Sequence, residues 1–212
     1  MPGDRLSSAL PPLVGGILIG GGSRRMGSAK ALLEWQGESL VERIARVLAG
    51  VVPELALLGS GVDLPPRVAG LLRIADRTEA QGPLAGLLGA FAARPSAAWL
   101  VLTCDQPLLS RTLLAWLIGE RRAGCIAVLP RLAPGRIEPF PGIYEPACLP
   151  ALVALAGGGR SGSLQPLAEL AHVRVVPVPA ALAGELRGVN TPEEWAELRR
   201  DAGRPAKDPH RA

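Results

Sequence analysis

Residues 15–33 read GGILIGGGSRRMGSAKALL, an apolar run through Ile17, Leu18 and Ile19 that breaks into Gly20, Gly21 and Gly22. Ser23, Arg24 and Arg25 follow, and Lys30 stands five residues further on. Three glycines in succession reach backbone angles closed to other residues and carry no side chain to hold a ligand away. The bare N–H groups of such a turn form a concavity for anions. Two guanidinium groups and an ammonium add positive charge behind it. The stretch predicts a first β-strand that ends in a phosphate-gripping loop. Gly22 and Gly27 have P-loop spacing, but Ser28 stands where the P-loop lysine belongs. The dinucleotide fingerprint G-x-G-x-x-G fits Gly20 and Gly22 and fails at Arg25. A phosphate bound here is gripped by a different pattern.

Outward from that loop, apolar strands alternate with helical patterns. Strands are expected at about residues 13–19, 54–58, 71–75, 99–104, 125–129 and 173–178. Ser39 and Glu42 form a capping box for a helix to about Leu48, and Gly82-Pro83-Leu84-Ala85-Gly86 opens an apolar helix with proline in its first turn. Ser110 caps a helix over residues 111–122, residues 147–156 are helical, residues 163–170 form a short helix, and Thr191 with Glu194 opens a final helix to about Arg200. Residues 137–144, punctuated by Pro139 and Pro141, read as an extended segment at a sheet edge. This alternation predicts a doubly wound α/β fold with a mostly parallel sheet and helices on both faces. Residues 1–12 read as a flexible arm, 13–200 as one domain, and 201–212 as a disordered tail.

Composition narrows the function. The net charge of +4 suits an anionic small molecule but lacks the basic stripe of a nucleic-acid binder, and 3% aromatics supply no stacking platform for single strands. No stretch approaches the length of a membrane span, and no secretory signal is clear, so the expected location is cytoplasmic. Three cysteines without C-x-x-C spacing predict buried reduced thiols rather than disulfides or zinc. With only two histidines, His172 and His210, chemistry that needs a histidine base is poorly supplied. Of 23 basic residues only Lys30 and Lys207 are lysines. This sets Lys30 apart, because an ammonium and a guanidinium are not interchangeable.

Ligands of such sheets bind beyond the carboxyl ends of strands, and the glycine loop, Asp76 and Asp105 all fall there. A carboxylate facing phosphates repels them unless a cation stands between; Mg²⁺ takes one or two carboxylates plus phosphate oxygens. Asp105 is therefore a metal-ligand candidate, against a plain turn aspartate before Pro107. Asp76 has the same placement in weaker surroundings. Helix capping accounts for Thr191 and leaves Asn190 uncommitted. Gly82 and Gly86 are open to a purely packing role. Glu138 and Tyr144 are weaker candidates for lining a pocket, and packing accounts for the four tryptophans.

The run from Leu18 to Lys30 resembles the N-terminal signature, roughly LAGGxSxRMGxDK, of nucleotidyltransferases that activate molybdopterin. Gly82-Pro-Leu-Ala-Gly86 is similar to the second motif of that family. Cys104-Asp105-Gln-Pro107 is similar to its metal-binding CDxP, and Val189-Asn-Thr-Pro192 to its closing NTP. The chain thus resembles the molybdenum cofactor guanylyltransferases. The resemblance implies a Rossmann-like three-layer fold, GTP and Mg²⁺, and transfer of GMP to molybdopterin with release of pyrophosphate. It implies that Gly20, Gly21, Gly22 and Ser23 cradle the triphosphate while Arg25 and Lys30 neutralise charge on the reacting phosphates. It further implies that Asp105 holds the metal, that Leu18 and Asp76 face base and ribose with Gly82 also at the nucleotide, and that Asn190 lies near the metal. A molybdoenzyme or assembly partner is implied downstream. Ala29 departs from the family's aspartate before the lysine, where the related cytidylyltransferases carry small residues or proline. The alternatives are thus a CTP-using enzyme on molybdopterin or another phosphorylated acceptor, and a non-catalytic nucleotide-binding assembly protein.

Overall fold

The computed structural model describes residues 9–20, 30–132, 137–158 and 162–202. The first strand, β1 (Leu13–Leu18), lies near the centre of a seven-stranded sheet. After it come a short hairpin, β2 (Glu34–Trp35) and β3 (Glu38–Ser39), and helix α1 (Leu40–Leu48). Ser39 caps that helix in the expected box: its Oγ accepts from Glu42 N at 3.3 Å, while its own N–H donates to Glu42 Oε2 at 2.9 Å. Then follow β4 (Leu55–Leu58), the single turn α2 (Pro66–Ala69), β5 (Leu72–Ile74), α3 (Gly82–Ala93), β6 (Ala98–Thr103) and α4 (Arg111–Gly119). Ser110 Oγ caps α4 at Leu113 N, 3.2 Å. The C-terminal part adds β7 (Ala127–Arg131), β8 (Gly142–Tyr144), α5 (Leu149–Gly157), β9 (Val173–Pro177) and α6 (Pro192–Ala202). The segment read as a short helix at 163–170 is a 3-10 turn over Gln165–Glu169.

The strand order is β5-β4-β1-β6-β8-β7-β9, parallel throughout except for β8, which is antiparallel to both neighbours. β1, β4 and β6 are buried along nearly their whole length, as parallel strands covered on both faces must be. One face packs Ile17, Leu57, Leu100 and Leu102 against Ile44 and Leu48 of α1, Leu113 and Leu117 of α4, and Leu198 of α6. The other packs Leu18, Leu58, Trp99 and Val101 against Leu84, Leu87 and Phe91 of α3 and Leu152 of α5. The three-layer α/β fold expected from the alternation is present.

The proline-punctuated segment is not an edge. Pro139 and Pro141 lie before the strand, so the three residues that pair, Gly142, Ile143 and Tyr144, all keep their N–H groups and insert between β6 and β7. Tyr144 is fully buried, its hydroxyl donating to Pro139 O at 2.7 Å and its ring 6.3 Å from that of Phe140. It is a core residue. Residues 1–8 of the expected arm and 203–212 of the expected tail lie outside the described residues. The arm's last two residues bond to the domain: Pro12 O accepts from Ala98 N at 2.9 Å, and Pro11 O from Arg121 Nη2 at 2.9 Å.

Arg121 is also the cation of a buried pair. Its Nε and Nη2 donate to the two carboxylate oxygens of Glu145 at 2.7 and 3.0 Å, with both side chains under one-tenth exposed. Removing one member of such a pair leaves the other charge stranded. Arg121→Leu is expected to cost about 3 kcal/mol, and the double change with Glu145→Leu to recover most of it. Urea denaturation checks this: the midpoint should fall with little change of slope. An unshifted midpoint would show that the pair carries no stability.

Candidate active site

The register of the parallel strands builds the site. Leu18 pairs with Leu58 on one side and Thr103 on the other, and Leu58 pairs with Ile74. Four strands therefore reach one level, and two residues further on the chain delivers Gly20, Asp105 and Asp76 to the same carboxyl edge. At about 4.8 Å per strand, Asp76 and Asp105 stand three strands, roughly 14 Å, apart. This is the edge where open α/β sheets hold ligands.

At one end, the Asp76 carboxylate sits among glycines. A Cβ on Gly20 would lie 3.4 Å from its Oδ2, and a Cβ on Gly59 or Gly86 would lie 3.6 or 3.5 Å from its Oδ1. Gly59 has φ +110°, and a side chain there would come within 3.0 Å of Gly20 N. Gly86 lets α3 lie against the end of β1, since its Cβ would fall 2.5 Å from Leu18 Cδ2. Gly89, one turn on, rests on Ala75 O in the same way, at 2.4 Å. Asp76 is exposed to solvent, but the backbone and helix beside it desolvate the carboxylate in part and raise its pKa above the ordinary aspartate range. The result is an exposed carboxylate bordered by glycine backbone.

At the other end, three distant segments meet. Lys30, in the 3-10 turn Lys30–Leu32, donates from Nζ to Asn190 Oδ1 at 2.8 Å and lies 4.0 Å from Asp105 Oδ2. Asp105 Oδ1 accepts from Thr103 Oγ1. The segment carrying Asn190 is docked on the same turn, with Val189 N donating to Asp105 O at 2.7 Å. Gly188 lies alongside this contact, its Cβ position 3.8 Å from Asp105 Oδ2 and from Asn190 Nδ2, an ordinary packing distance. Glu194 Oε2 accepts from Asn190 N at 2.6 Å and Thr191 N at 3.2 Å, and Thr191 Oγ1 accepts from Glu194 N at 3.2 Å, completing the expected capping box of α6. Arg43 of α1 pins the turn from below by donating Nε to Pro107 O. Cys104 is buried, with its Sγ 3.6 Å from Leu18 O, and burial with the neighbouring Asp105 charge pushes its thiol up to about 12.

Among the described residues no cluster of three His, Cys, Asp or Glu side chains forms a ready metal cage. The donor set at Asp105 is instead a single carboxylate with an ammonium across from it. That fits Mg²⁺, which keeps waters and takes one or two carboxylates together with substrate phosphates.

Of the sequence-predicted residues, the structure brings Leu18, Gly20 and Asp76 together at one end and Lys30, Asp105 and Asn190 at the other. Gly21, Gly22, Ser23 and Arg25 lie outside the described residues. Gly82 opens α3 with φ +57°, and nothing lies within 4 Å of where its Cβ would be; the residue of that motif in contact range of Asp76 is Gly86. Sequence reasoning missed Thr103, although a hydroxyl ending an otherwise apolar strand beside Asp105 is a readable signal. It also missed Gln106. This side chain is 4% exposed and donates from Nε2 to Phe140 O at 3.0 Å and Leu186 O at 3.4 Å, tying the Asp105 turn to two distant loops. A cavity of about 310 Å³ opens beside Asn190, lined by Leu132, Leu186, Arg187, Gly188 and Glu194 among others.

A doubly wound sheet with a lysine, an aspartate and a glycine-bordered carboxylate along its carboxyl edge is the arrangement of a nucleotidyltransferase. The family model for the MobA-like NTP transferase domain matches residues 15–175. A molybdenum cofactor guanylyltransferase of Xanthomonas euvesicatoria is 33% identical over 188 residues, covering 88% of this chain and 94% of that one. Molybdopterin-guanine dinucleotide biosynthesis protein A of Archaeoglobus fulgidus has the same fold, with a TM-score of 0.72 at 22% identity, covering 89% of this chain and 98% of that chain. So does a Mycobacterium tuberculosis protein crystallised with manganese, with a TM-score of 0.62 at 19% identity, covering 90% and 98%. The chain belongs to the MobA-like NTP transferase family and is a nucleotidyltransferase.

The raised pKa of Asp76 has a sign that can be tested. A carboxyl that holds its proton more tightly when folded loses folding stability as pH rises from its unfolded pKa through its folded one. Asp76→Asn is therefore expected to raise the melting temperature slightly at pH 7 and to leave it unchanged below pH ~3, under both pKa values. The same variant should bind nucleotide more weakly. Thermal melts at the two pH values, with nucleotide titration, check this; a lower melting temperature at pH 7 would show that the carboxylate is stabilised where it sits.

Proposed function

We propose that the enzyme transfers GMP from GTP to the terminal phosphate of molybdopterin and releases pyrophosphate, with Mg²⁺ bound at Asp105. The observation that carries this reading is the meeting of Lys30, Asn190 and Asp105 at the end of β6, with Asp76 bordered by glycines on the same edge. The guanylyltransferase relative supports the choice of GTP and molybdopterin. The manganese bound by a protein of this fold supports a divalent ion.

In this reading the acceptor is a phosphate, which is largely ionised at neutral pH. No side chain has to take a proton from it, which accords with a chain that has two histidines. The residues act by position and charge. Asp76 and the bare backbone at Gly20 and Gly59 hold the nucleoside side, beneath Leu18. Lys30, held by Asn190, faces the phosphates and offsets the negative charge that grows on the leaving pyrophosphate. Arg25, Gly21, Gly22 and Ser23 add to that grip in the same reading. Asp105 would hold the metal, oriented by Thr103; the bound ion supplies charge neutralisation and alignment of the phosphates. Fixing donor and acceptor on one edge turns a reaction between two anions into one within a single complex.

Ala29, where the guanylyltransferases have aspartate, favours a second reading in which CTP replaces GTP on the same acceptor. One assay separates them. The protein is incubated with Mg²⁺, molybdopterin and each nucleoside triphosphate in turn, and pyrophosphate is measured. Release with GTP is expected; release with CTP selects the second reading, and release with neither overturns molybdopterin as the acceptor. Asp105→Ala is expected to lower turnover by about a hundredfold or more, with circular dichroism and melting temperature near wild type. Turnover near wild type would remove Asp105 from the metal role.

A further inference from the structure

The lysine and its asparagine partner are each followed, five residues along the chain, by a tryptophan, and those tryptophans touch. Trp35 of β2 and Trp195 of α6 have ring centroids 5.5 Å apart with planes inclined at 51°. Trp35 is buried at 3% exposure, and Trp195 is half-buried over it. The contact is ring on ring: Trp35 Nε1 is buried without a hydrogen bond among the described residues. The two segments thus meet at two points, Lys30 with Asn190 at one end and Trp35 with Trp195 at the other. Between them, Glu194 locks Asn190 to the first turn of α6 through its two backbone bonds. A shift of α6 over the hairpin would carry Asn190 with it.

We propose that Trp195, seated on Trp35, is a positioning residue for Lys30: it docks α6 on the hairpin so that Asn190 holds the ammonium beside Asp105. Residues 15–175 make up the region matched by the family model, and α6 begins at Pro192. The lysine is therefore set in place by a helix outside the matched domain. α6 has a second anchor in Leu198, which is 2% exposed in the core. Truncating Trp195 thus leaves the helix attached while freeing its N-terminal end to move. Tilted aromatic pairs at this separation attract beyond the area they bury, and a displacement of about an ångström at a charged group is enough to weaken its contact with a ligand.

The inference rests on the reading of Lys30 as a phosphate contact, so the test separates the two. The probe is inorganic tripolyphosphate with Mg²⁺, whose binding to the full chain is measured by calorimetry, independent of base choice and of turnover. Trp195→Ala is expected to weaken binding about tenfold, and Trp195→Phe to restore it to within about twofold of wild type. Trp116→Ala, a similar loss on α4 away from the site, should leave binding unchanged. In a Lys30→Met background Trp195→Ala should add nothing, because residues acting through one contact are not additive. Wild-type binding in Trp195→Ala, equal weakening in Trp116→Ala, or a full additive loss in the double variant would overturn the positioning role. Unchanged binding in Lys30→Met alone would overturn the phosphate role of Lys30, and the inference with it.

Discussion

Everything in this site depends on the parallel register of four adjacent strands. Because Leu18, Leu58, Ile74 and Thr103 stand in one row, the residues that follow them emerge at one height along one edge. A one-residue slip in a parallel strand would turn its side chains to the opposite face. Asp105 would then enter a helix layer, and Asp76 would leave its glycine neighbours. The buried Ile, Leu and Val of β1, β4 and β6 hold the register, so the apolar core positions the polar chemistry. The same core needs glycine where helices and strands come closest, at Gly86 and Gly89 of α3.

The second constraint is long-range docking. Lys30, Asp105 and Asn190 come from three parts of the chain and depend on backbone bonds to meet. Val189 N donates to Asp105 O, Gln106 braces Leu186 O just upstream, and Arg43 braces Pro107 O from the helix below. The site is half rigid sheet edge and half assembled loops. Its Asp76 end rests on strands and a packed helix, whereas its Asp105 end rests on turns held by single hydrogen bonds.

This division explains what could be read from the sequence. The strands and helices were legible because their apolar periodicity and caps are local signals, and Ser39, Ser110 and Thr191 all cap as their spacing implies. The positions of Asp76 and Asp105 were legible because each ends an apolar run. The placement of β8 was not. Pro139 and Pro141 argue for an edge when read with the residues after them, but the strand proper begins only at Gly142, and its two neighbours are chosen by tertiary packing. Gln106 was equally hidden, because its importance lies in carbonyls supplied by residues 140 and 186. The Lys30–Asn190 contact links positions 160 residues apart; the resemblance implied only that Asn190 lies near the metal, and the fold brings the two side chains together. Trp35 and Trp195 read as ordinary packing residues for the same reason.

The central claim is that one nucleotide spans the carboxyl edge, with its nucleoside end at Asp76 and its phosphates between Lys30 and Asp105. A crystal structure with a non-hydrolysable GTP analogue and Mn²⁺, using the anomalous signal of the metal, tests it most directly. The account predicts a manganese peak against the Asp105 carboxylate, phosphate oxygens within hydrogen-bond reach of Lys30 Nζ, and the ribose beside Asp76. A manganese peak away from Asp105, or a nucleotide whose phosphates point away from Lys30, would contradict it.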